Sequence, residues 1–443
     1  MLTEEKNQLL TEVGPEKPMG QYLRKYWHPI AGESEFNDVN IKPIRILGED
    51  LVLYKDLSGN YGLVNRKCPH RGADMSYGFV EREGIRCSYH GWQFNGKGNC
   101  IHQPYEEICD VSGKLKSTTH IKSYPVKSKA GLLWAYMGPT PIPELPDWDL
   151  FNLKNGFKQA VFAHLPCNWF QCQENSIDPI HFEWTHNNLS IRQSGQEGPY
   201  VPTHLKLKFE EFDYGFIYKR LRGGESEDNV MWNTGRVALW PNGFYLGHHF
   251  EWRVPIDDEN TLSVLWVFSL VPSEQGDYQQ EQIPSWYGPI TDPETGKWIT
   301  SHVANQDFVA WVGQGKIADR TKEYLGLSDK GVVQMRKRFF QELKDMDENP
   351  NFVAKGLIFD PAENENIHLP SACFDEMSNG LSRAEIMEHP LLGVYLRDFI
   401  GQYGQPEEVQ AAYEDAVGQK MDGATFFHVH GGNNEGADAK LDT

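Results

Sequence analysis

Two short stretches decide the fold, CPHRG at residues 68–72 and CSYHGW at residues 87–92. Each stretch places one cysteine and one histidine ahead of a glycine, and together they supply four candidate ligands, Cys68, His70, Cys87 and His90. A glycine at that point lets the backbone fold closely round a bound group. The spacing therefore predicts one metal centre held by two loops.

Two thiolates and two imidazoles suit two kinds of centre. In a [2Fe–2S] cluster, the two cysteines would ligate one iron and the two histidines the other. In a zinc site, all four would bind one ion. Zinc fingers usually run Cys, Cys, His, His with helical histidines, whereas this chain runs Cys, His, Cys, His on loops between predicted strands. This order favours the [2Fe–2S] cluster.

The flanking sequence predicts two β regions followed by helices. Between about residues 40 and 140, short β-branched or aromatic runs alternate with Gly, Pro, Asn and Asp, which is typical of a small antiparallel domain. Residues 200–272 show the alternation of a large antiparallel sheet. From residue 300 onward the pattern becomes helical.

We therefore expect an α+β protein in which a small antiparallel β domain precedes a larger domain with a helix-covered antiparallel sheet. The Pro-rich stretch 140–149 is the predicted linker. The expected parts are an N-terminal helical segment at 1–30, the cluster domain at 31–145, the larger domain at 146–430 and a mobile tail at 431–443.

A second motif lies in the predicted helix from about Trp169 to Thr185. It has the form D-x2-H-x4-H, with Asp178, His181 and His186. Asp178 and His181 would share a helix face, and the proline after Asp178 predicts that the helix distorts or ends near His186. Two imidazoles and one carboxylate from elsewhere would form a 2-His-1-carboxylate site with open positions. The alternative is a pair of hydrogen-bonded core or surface histidines.

The third ligand of such a site has three candidates, Asp307, Asp319 and Asp329. We favour Asp329, because it begins the helical segment 328–343, whose apolar residues recur on the Asp329 face. An uncompensated carboxylate there would be costly, and a metal would offset the cost. The alternative is a first-turn residue that interacts with the helix dipole. A salt bridge to the adjacent Arg320 would explain Asp319.

Both motifs resemble those of a known family. CPHRG and CSYHGWQF are similar to the cluster loops of the Rieske non-haem iron oxygenases, and ENSIDPIHFEWTH is similar to their mononuclear iron motif. The opening LTEVGPEKPMGQYLRKYWHP and the later NQDFVAWVGQGKIADRTKEYLGLSDKGVV resemble the phthalate 4,5-dioxygenase-like subgroup of alpha subunits. The resemblance covers most of residues 1–345.

The resemblance implies a role for each motif residue. The four Cys and His residues would hold a Rieske [2Fe–2S] cluster, and His181 and His186 would bind a mononuclear Fe(II). Asp178 would bridge the iron-binding His181 and a cluster histidine, His90, of a neighbouring subunit. Asn175 would lie near the iron. The small domain would then be the Rieske domain and the larger domain the catalytic one.

The resemblance also implies an activity. The chain would be a terminal oxygenase that uses O2 to hydroxylate an aromatic, possibly carboxylated, substrate. The alternatives are an O- or N-demethylating monooxygenase and, more remotely, a Rieske electron-transfer protein or a zinc-stabilised binding protein. Electrons would come from a separate reductase with a flavin, a plant-type [2Fe–2S] centre and NADH as donor, and the chain would form a homotrimer or hexamer.

Composition excludes several other classes. With 62 Asp+Glu against 42 Lys+Arg, the net charge of −20 argues against nucleic acid and anionic membranes as partners. We see neither a membrane-length apolar run nor a secretory leader, and seven cysteines in 443 residues are too few for a disulfide scaffold, so we expect a cytoplasmic protein. Four basic residues would suit a substrate carboxylate, or would be ordinary solvated strand residues: Lys219, Arg220, Arg222 and Arg236.

Overall fold

The computed structural model describes residues 1–109, 112–193, 195, 197, 204–370, 381–388, 402–418 and 420. The predicted tail at 431–443, and the predicted end of the catalytic domain at residue 430, lie outside these described residues.

Within residues 1–136, the described part of the chain forms four short helices and eleven strands. They are α1 Glu4–Thr11, α2 Pro18–Leu23, β1 Trp27–Gly32, β2 Ile41–Ile46, β3 Glu49–Lys55, β4 Tyr61–Asn65, β5 Phe79–Val80, β6 Ile85–Arg86, β7 Gln93–Phe94, β8 Cys100–His102, α3 Glu106–Cys109, α4 Lys114–Thr118, β9 Ser123–Tyr124, β10 Val126–Lys129 and β11 Leu132–Tyr136. Short 3-10 helices lie at Glu33–Asn37 and Met75–Tyr77.

The rest of the described chain contains further strands and the longer helices. It contains α5 Asp149–Asn152, β12 Gly156–Leu165, α6 Trp169–Asn175, a π-helix at Phe182–Asn188, α7 Leu189–Gln193, β13 His204–Phe212, β14 Gly215–Arg222, α8 Val230–Asn233, β15 Arg236–Leu239, β16 Gly243–Tyr245, β17 His249–Pro255, β18 Thr261–Leu270, β19 Ser285–Tyr287, α9 Val303–Gly313, α10 Lys330–Glu348, α11 Arg383–Glu388 and α12 Glu407–Val417. Further 3-10 helices lie at Ser273–Gln275, Leu327–Asp329 and Pro361–Glu363.

The strands form three small antiparallel sheets and one large one. The small sheets have the orders β2-β3-β4-β9, β5-β6-β7-β8 and β1-β11-β10. The large sheet has the order β13-β14-β15-β16-β17-β18-β12-β19, and its pairs are antiparallel except for the parallel edge pair β12–β19. The predicted α+β class, with a small antiparallel domain and a larger antiparallel sheet, is confirmed.

Strand β17 shows how the large sheet separates the core from the site, because successive side chains of a strand point to opposite faces. Phe250 and Trp252 pack into the core, where the Trp252 ring lies 5.0 Å from that of Trp134 on β11. The residues between and beyond them, His249, Glu251 and Arg253, point to the opposite face. There the Arg253 guanidinium lies 5.1 Å from the Trp311 ring of α9.

Candidate metal centres

The two Cys/His loops have the same backbone geometry. In the first, the Gly72 N–H donates to the Cys68 carbonyl at 2.8 Å, and in the second, the Gly91 N–H donates to the Cys87 carbonyl at 3.0 Å. Both turns need a left-handed residue, since φ is +72° at Gly72 and +76° at Gly91. Glycine adopts this conformation without steric cost, which explains the motif glycines.

The loops bring the four predicted cluster ligands together. Cys68 and Cys87 are each 2% exposed, and the His70 and His90 rings lie 4.5 Å apart. His70 is held in place by stacking on Trp92 at 4.3 Å. Nδ1 of His70 is buried without a hydrogen-bond partner in the part of the chain that the structure describes.

This donor set fits an iron–sulfur cluster. Burial raises the pKa of the Cys68 thiol to about 12, so a bare thiolate would be unstable and a bound cation would offset its cost. The imidazole nitrogen without a partner needs a ligand of its own. Two buried thiols and two adjacent imidazoles match the inventory of a histidine-ligated [2Fe–2S] centre.

A second group of potential ligands comprises His181, His186 and Asp307, whose ligand atoms all lie within 4.8 Å of one another. Oδ1 of Asp307 is 3.8 Å from Nε2 of His181 and 3.5 Å from Nε2 of His186. His181 directly precedes the π-helix, His186 lies within it, and Asp307 comes from α9. Two imidazoles and one carboxylate form the facial set that non-haem Fe(II) prefers.

The π-helix explains the unusual spacing of the two histidines. An α-helix brings residues three or four apart together, whereas the hydrogen bonds of a π-helix join residues five apart. His181 and His186 are separated by five positions, so one wide turn directs both rings to the same side. The predicted continuous helix is therefore divided: α6 ends at Asn175, and the π-helix begins at Phe182.

The prediction that Asp329 supplies the carboxylate is wrong in this structure. Its Oδ2 instead accepts the Gly326 N–H at 2.6 Å, at the start of α10. The buried face of α10 contains Val332, Met335 and Phe339, which is about one residue out of phase with the face assumed for Asp329. Asp319 is also excluded, because its carboxylate binds Thr321 and Lys322 at the surface.

Polar neighbours orient the three candidate ligands. Nδ1–H of His186 donates to Oε1 of Gln306 at 2.9 Å, which leaves Nε2 facing Asp307. Nδ1 of His181 faces Asp178, whose Oδ2 is 3.8 Å away. Nδ2 of Asn175 donates to Oδ1 of Asp307 at 3.4 Å. The predicted neighbours Asn175 and Asp178 therefore both lie beside the ligand group.

Burial shifts the protonation of this group strongly. It raises the pKa of Asp307 to about 7 and lowers the pKa of His186 to about 3. Burial also lowers the pKa of His181, but Asp178 and Asp307 outweigh that effect and the net shift is upward. A metal ion requires an ionised carboxylate and neutral imidazoles. A bound cation would offset the cost of burying the Asp307 charge, so the residues fit Fe(II).

Comparisons with known proteins decide the family. Residues 26–125 match the Rieske [2Fe-2S] domain, and residues 294–362 match the family described as LigXa C-terminal domain like. The chain is 55% identical over 417 residues to the 5,5'-dehydrodivanillate O-demethylase oxygenase subunit of Sphingobium sp. (strain NBRC 103272 / SYK-6), covering 94% of this chain and 97% of the relative. It is 30% identical to the phthalate 4,5-dioxygenase oxygenase subunit of Pseudomonas putida, covering 76% of this chain and 85% of that one.

The chain belongs to the Rieske non-haem iron oxygenases. It is an alpha subunit, an oxidoreductase that incorporates oxygen and carries a Rieske [2Fe–2S] cluster and a mononuclear iron. The fold agrees with that of NdmA from Pseudomonas putida CBB5, with a TM-score of 0.54 and 19% identity over 75% of this chain and 94% of that chain. The predictions of family, enzyme class and cofactors are confirmed.

A row of ionisable side chains lies beside the iron site of this Rieske oxygenase, and the sequence interpretation did not single it out. On β17, His249 contacts Glu251 at 3.0 Å, and Glu251 binds Arg253 at 2.6 Å. Glu251 contributes to the raised pKa of Asp307, and Arg253 opposes it. The sequence did contain a signal for this row. His249, Glu251 and Arg253 are alternate residues, and a strand places alternate residues on one face.

Among the described residues, no helix combines the length and the apolar character that a transmembrane segment needs.

Proposed function

We propose that this chain is the oxygenase component of an O-demethylase that acts on a methoxylated aromatic carboxylate. The observation that carries the proposal is the 55% identity to the 5,5'-dehydrodivanillate O-demethylase oxygenase subunit across almost the full length of both chains. The demethylation alternative of the sequence analysis is therefore preferred to ring hydroxylation. The 30% identity to a phthalate 4,5-dioxygenase leaves ring dihydroxylation as the second candidate.

The reaction balances as a monooxygenation of the methyl carbon. One aryl methyl ether, one O2, two electrons and two protons yield a phenol, formaldehyde and water. When bound, the cluster supplies electrons and the mononuclear iron activates O2. The chain's own task is to present a methoxyl group, rather than a ring carbon, to the face of the group formed by His181, His186 and Asp307.

Two arginines next to the iron site support a carboxylated substrate. The guanidinium groups of Arg236 and Arg220 lie 4.5 and 5.1 Å from the ring of Phe182. Phe182 in turn lies 4.3 Å from the His181 ring and 5.3 Å from the His186 ring. Both cations therefore lie against the aromatic ring that contacts the two candidate histidine ligands.

These two cations favour an anion between them. Nη1 of Arg236 is buried and has no hydrogen-bond partner among the residues that the structure describes. Burial, reinforced by the neighbouring Arg236 charge, lowers the pKa of Arg220 to about 9. Arg222 binds Glu225 at 2.8 Å and Lys219 binds Glu210 at 3.2 Å, so Arg236 is the better candidate for a substrate anion. A substrate carboxylate would give Arg236 its missing partner.

The electron path that we propose crosses between subunits. His90 lies at the surface beside Tyr89, which is 57% exposed. The carboxylate of Asp178 is one-third exposed, and Trp184, six residues further along the chain, is 54% exposed. A cyclic homotrimer or hexamer would bury both aromatic surfaces and bring His90 of one copy to Asp178 of the next. A reductase or ferredoxin would supply the electrons, as the oxygenase-subunit names of the relatives suggest.

Substrates with an isotope-labelled methoxyl carbon test the reaction type. We expect labelled formaldehyde and the corresponding phenol in equal amounts when 5,5'-dehydrodivanillate or a smaller methoxylated benzoate is supplied with O2 and a generic reductase. Methyl-free phthalate is the control and should give no product. A dihydrodiol that keeps the labelled methyl group would replace this proposal with ring dihydroxylation.

A further inference from the structure

The acceptor of the His186 Nδ1–H belongs to a network of side-chain amide hydrogen bonds. Gln306 accepts from His186 through Oε1, and its Nε2 donates to the Thr300 carbonyl at 3.0 Å. Gln193 donates to the same Thr300, at 3.2 Å to the carbonyl and 2.8 Å to the hydroxyl. Gln193 is the last residue of α7, which continues directly from the π-helix that holds His186.

We propose that Gln306, Thr300 and Gln193 form an amide clasp that positions His186 for iron binding. The clasp consists of these three residues, and none of them is among the three candidate ligands. Gln306 is a positioning residue, since it acts through the imidazole of His186. The proposal depends on His186 as an iron ligand and does not depend on the O-demethylase reaction.

The first function of the clasp is to select the tautomer of His186. A neutral imidazole carries one N–H, and a ligand nitrogen must offer its lone pair. Because Gln306 Oε1 accepts a hydrogen bond and its Nε2 is committed to the Thr300 carbonyl, the amide cannot flip without losing both bonds. The proton of His186 is therefore held on Nδ1, and Nε2 is left to face Asp307.

The second function is to keep the wide helical turn in place. A π-turn holds one more residue than an α-turn and is rarely formed without support. If it relaxed to α-helix, the residues after the shift would rotate by about 100° round the axis, the angle between successive α-helical residues. Such a rotation would turn His186 away from Asp307. Gln193 ties the far end of this segment to Thr300 and so opposes the shift.

The clasp also joins the segments that contribute to the iron site. Thr300 lies just before α9, and α9 carries both Gln306 and Asp307. His186 is 2% exposed and Gln306 5%, so the His186–Gln306 bond is shielded from water. A buried hydrogen bond of this kind is expensive to leave unmade. Loss of the Gln306 side chain should therefore lower the affinity of the site for the metal ion.

Equilibrium Fe(II) affinity of the full chain, measured by chelator competition, tests the clasp without substrate. For Gln306→Leu we expect a loss of roughly 10- to 100-fold, as for other residues that orient metal-binding histidines. Gln306→Glu keeps an acceptor for the Nδ1–H of His186 but loses the donor to the Thr300 carbonyl, so its loss of affinity should be smaller than that of Gln306→Leu. Gln193→Ala removes an exposed side chain and should give a smaller loss in the same direction. Gln314→Leu, at the exposed end of α9, is the matched control and should bind Fe(II) normally.

A spectroscopic readout separates positioning from general destabilisation. With Co(II) in the mononuclear site, the Nδ1–H of His186 should give a shifted, slowly exchanging proton resonance that persists in Gln306→Glu and disappears in Gln306→Leu. The Rieske cluster spectrum should stay unchanged in every variant. Wild-type affinity together with a wild-type resonance in Gln306→Leu would overturn the proposal, and so would an affinity loss in Gln314→Leu as large as in Gln306→Leu.

Discussion

Nε2 of His186 lies 3.5 Å from Oδ1 of Asp307. His186 belongs to the π-helix, whereas Asp307 belongs to α9, which follows the last strand of the eight-stranded sheet in the sequence. No motif of contiguous sequence contains both. The sheet brings them together because β12 and β19 are neighbouring parallel strands. The π-helix follows β12 in the chain, by way of α6, and α9 follows β19.

Replacing His181 by alanine should empty the mononuclear site and leave the Rieske cluster intact. The alanine removes the imidazole whose Nε2 faces Asp307 at 3.8 Å, and the cluster loops do not share any residue with this site. Iron content and the visible spectrum of the cluster provide the check. Unchanged mononuclear iron in His181→Ala would show that the ligands are misassigned.

Asp178→Asn should keep both metal centres but slow electron transfer from cluster to iron by orders of magnitude. The asparagine is nearly isosteric, yet it lacks the charge that Asp178 presents to Nδ1 of His181 at 3.8 Å. Single-turnover reoxidation of the reduced cluster by O2, followed by stopped-flow absorbance, measures the step. Reoxidation at the wild-type rate would mean that Asp178 is not on the path.

Arg236→Gln should raise KM for a carboxylated substrate by roughly 10- to 100-fold, since a hydrogen bond to a charged group contributes about 1.5–3 kcal/mol. The kcat should change much less, because Arg236 binds the substrate away from the reacting methyl group. Arg222→Gln is the comparison variant, as Arg222 is already paired with Glu225. Equal effects of the two substitutions would contradict the proposed carboxylate site, and so would equal KM values for the acid and its methyl ester in the wild type.

Glu174→Gln should destabilise the chain by about 3–5 kcal/mol, the usual cost of breaking a buried ion pair. Glu174 binds Arg320 and Arg336, each at 2.6 Å. Burial alone would raise the pKa of Glu174, but the two guanidinium groups outweigh it and the net shift is downward. The folded pKa therefore lies below the unfolded one, and the stabilisation is present above the unfolded pKa and lost as pH falls.

Urea denaturation at several pH values checks this prediction. The wild type should lose stability on acidification more steeply than Glu174→Gln, and the two curves should approach each other at low pH. Glu323→Gln, which removes only the outer partner of Arg336, should cost less. Parallel curves for wild type and Glu174→Gln would show that Glu174 does not carry the pH dependence.

Much of the fold was predictable because its signals are local. The Cys/His loops end in glycines with positive φ, and the near-continuous apolar run of β18 follows from a strand that is buried on both faces. The family resemblance then supplied the cluster, the iron and the two histidines. Nothing local, however, indicated that the edge strand β19 pairs parallel to β12, because strand order depends on contacts between distant segments.

The sequence favoured Asp329 over Asp307 for a physical reason. Asp329 was favoured on helix phase, but the buried face of α10 runs through Val332, Met335 and Phe339, one residue away from the assumed position. The same argument suited Asp307 better, because Trp311 lies four positions later on the same helix face and is 2% exposed. The π-helix was equally hard to foresee, since one inserted residue leaves the composition of a helix unchanged.

Mössbauer spectroscopy of the reduced, iron-enriched full chain tests the central claim most directly. We predict the spectrum of a Rieske cluster together with one high-spin Fe(II) per chain in the wild type and in Asp329→Asn. Asp307→Asn should keep the cluster spectrum and lose the high-spin Fe(II). A wild type that contains cluster iron alone, or an Asp307→Asn chain that keeps its high-spin Fe(II) while Asp329→Asn loses it, would contradict the account.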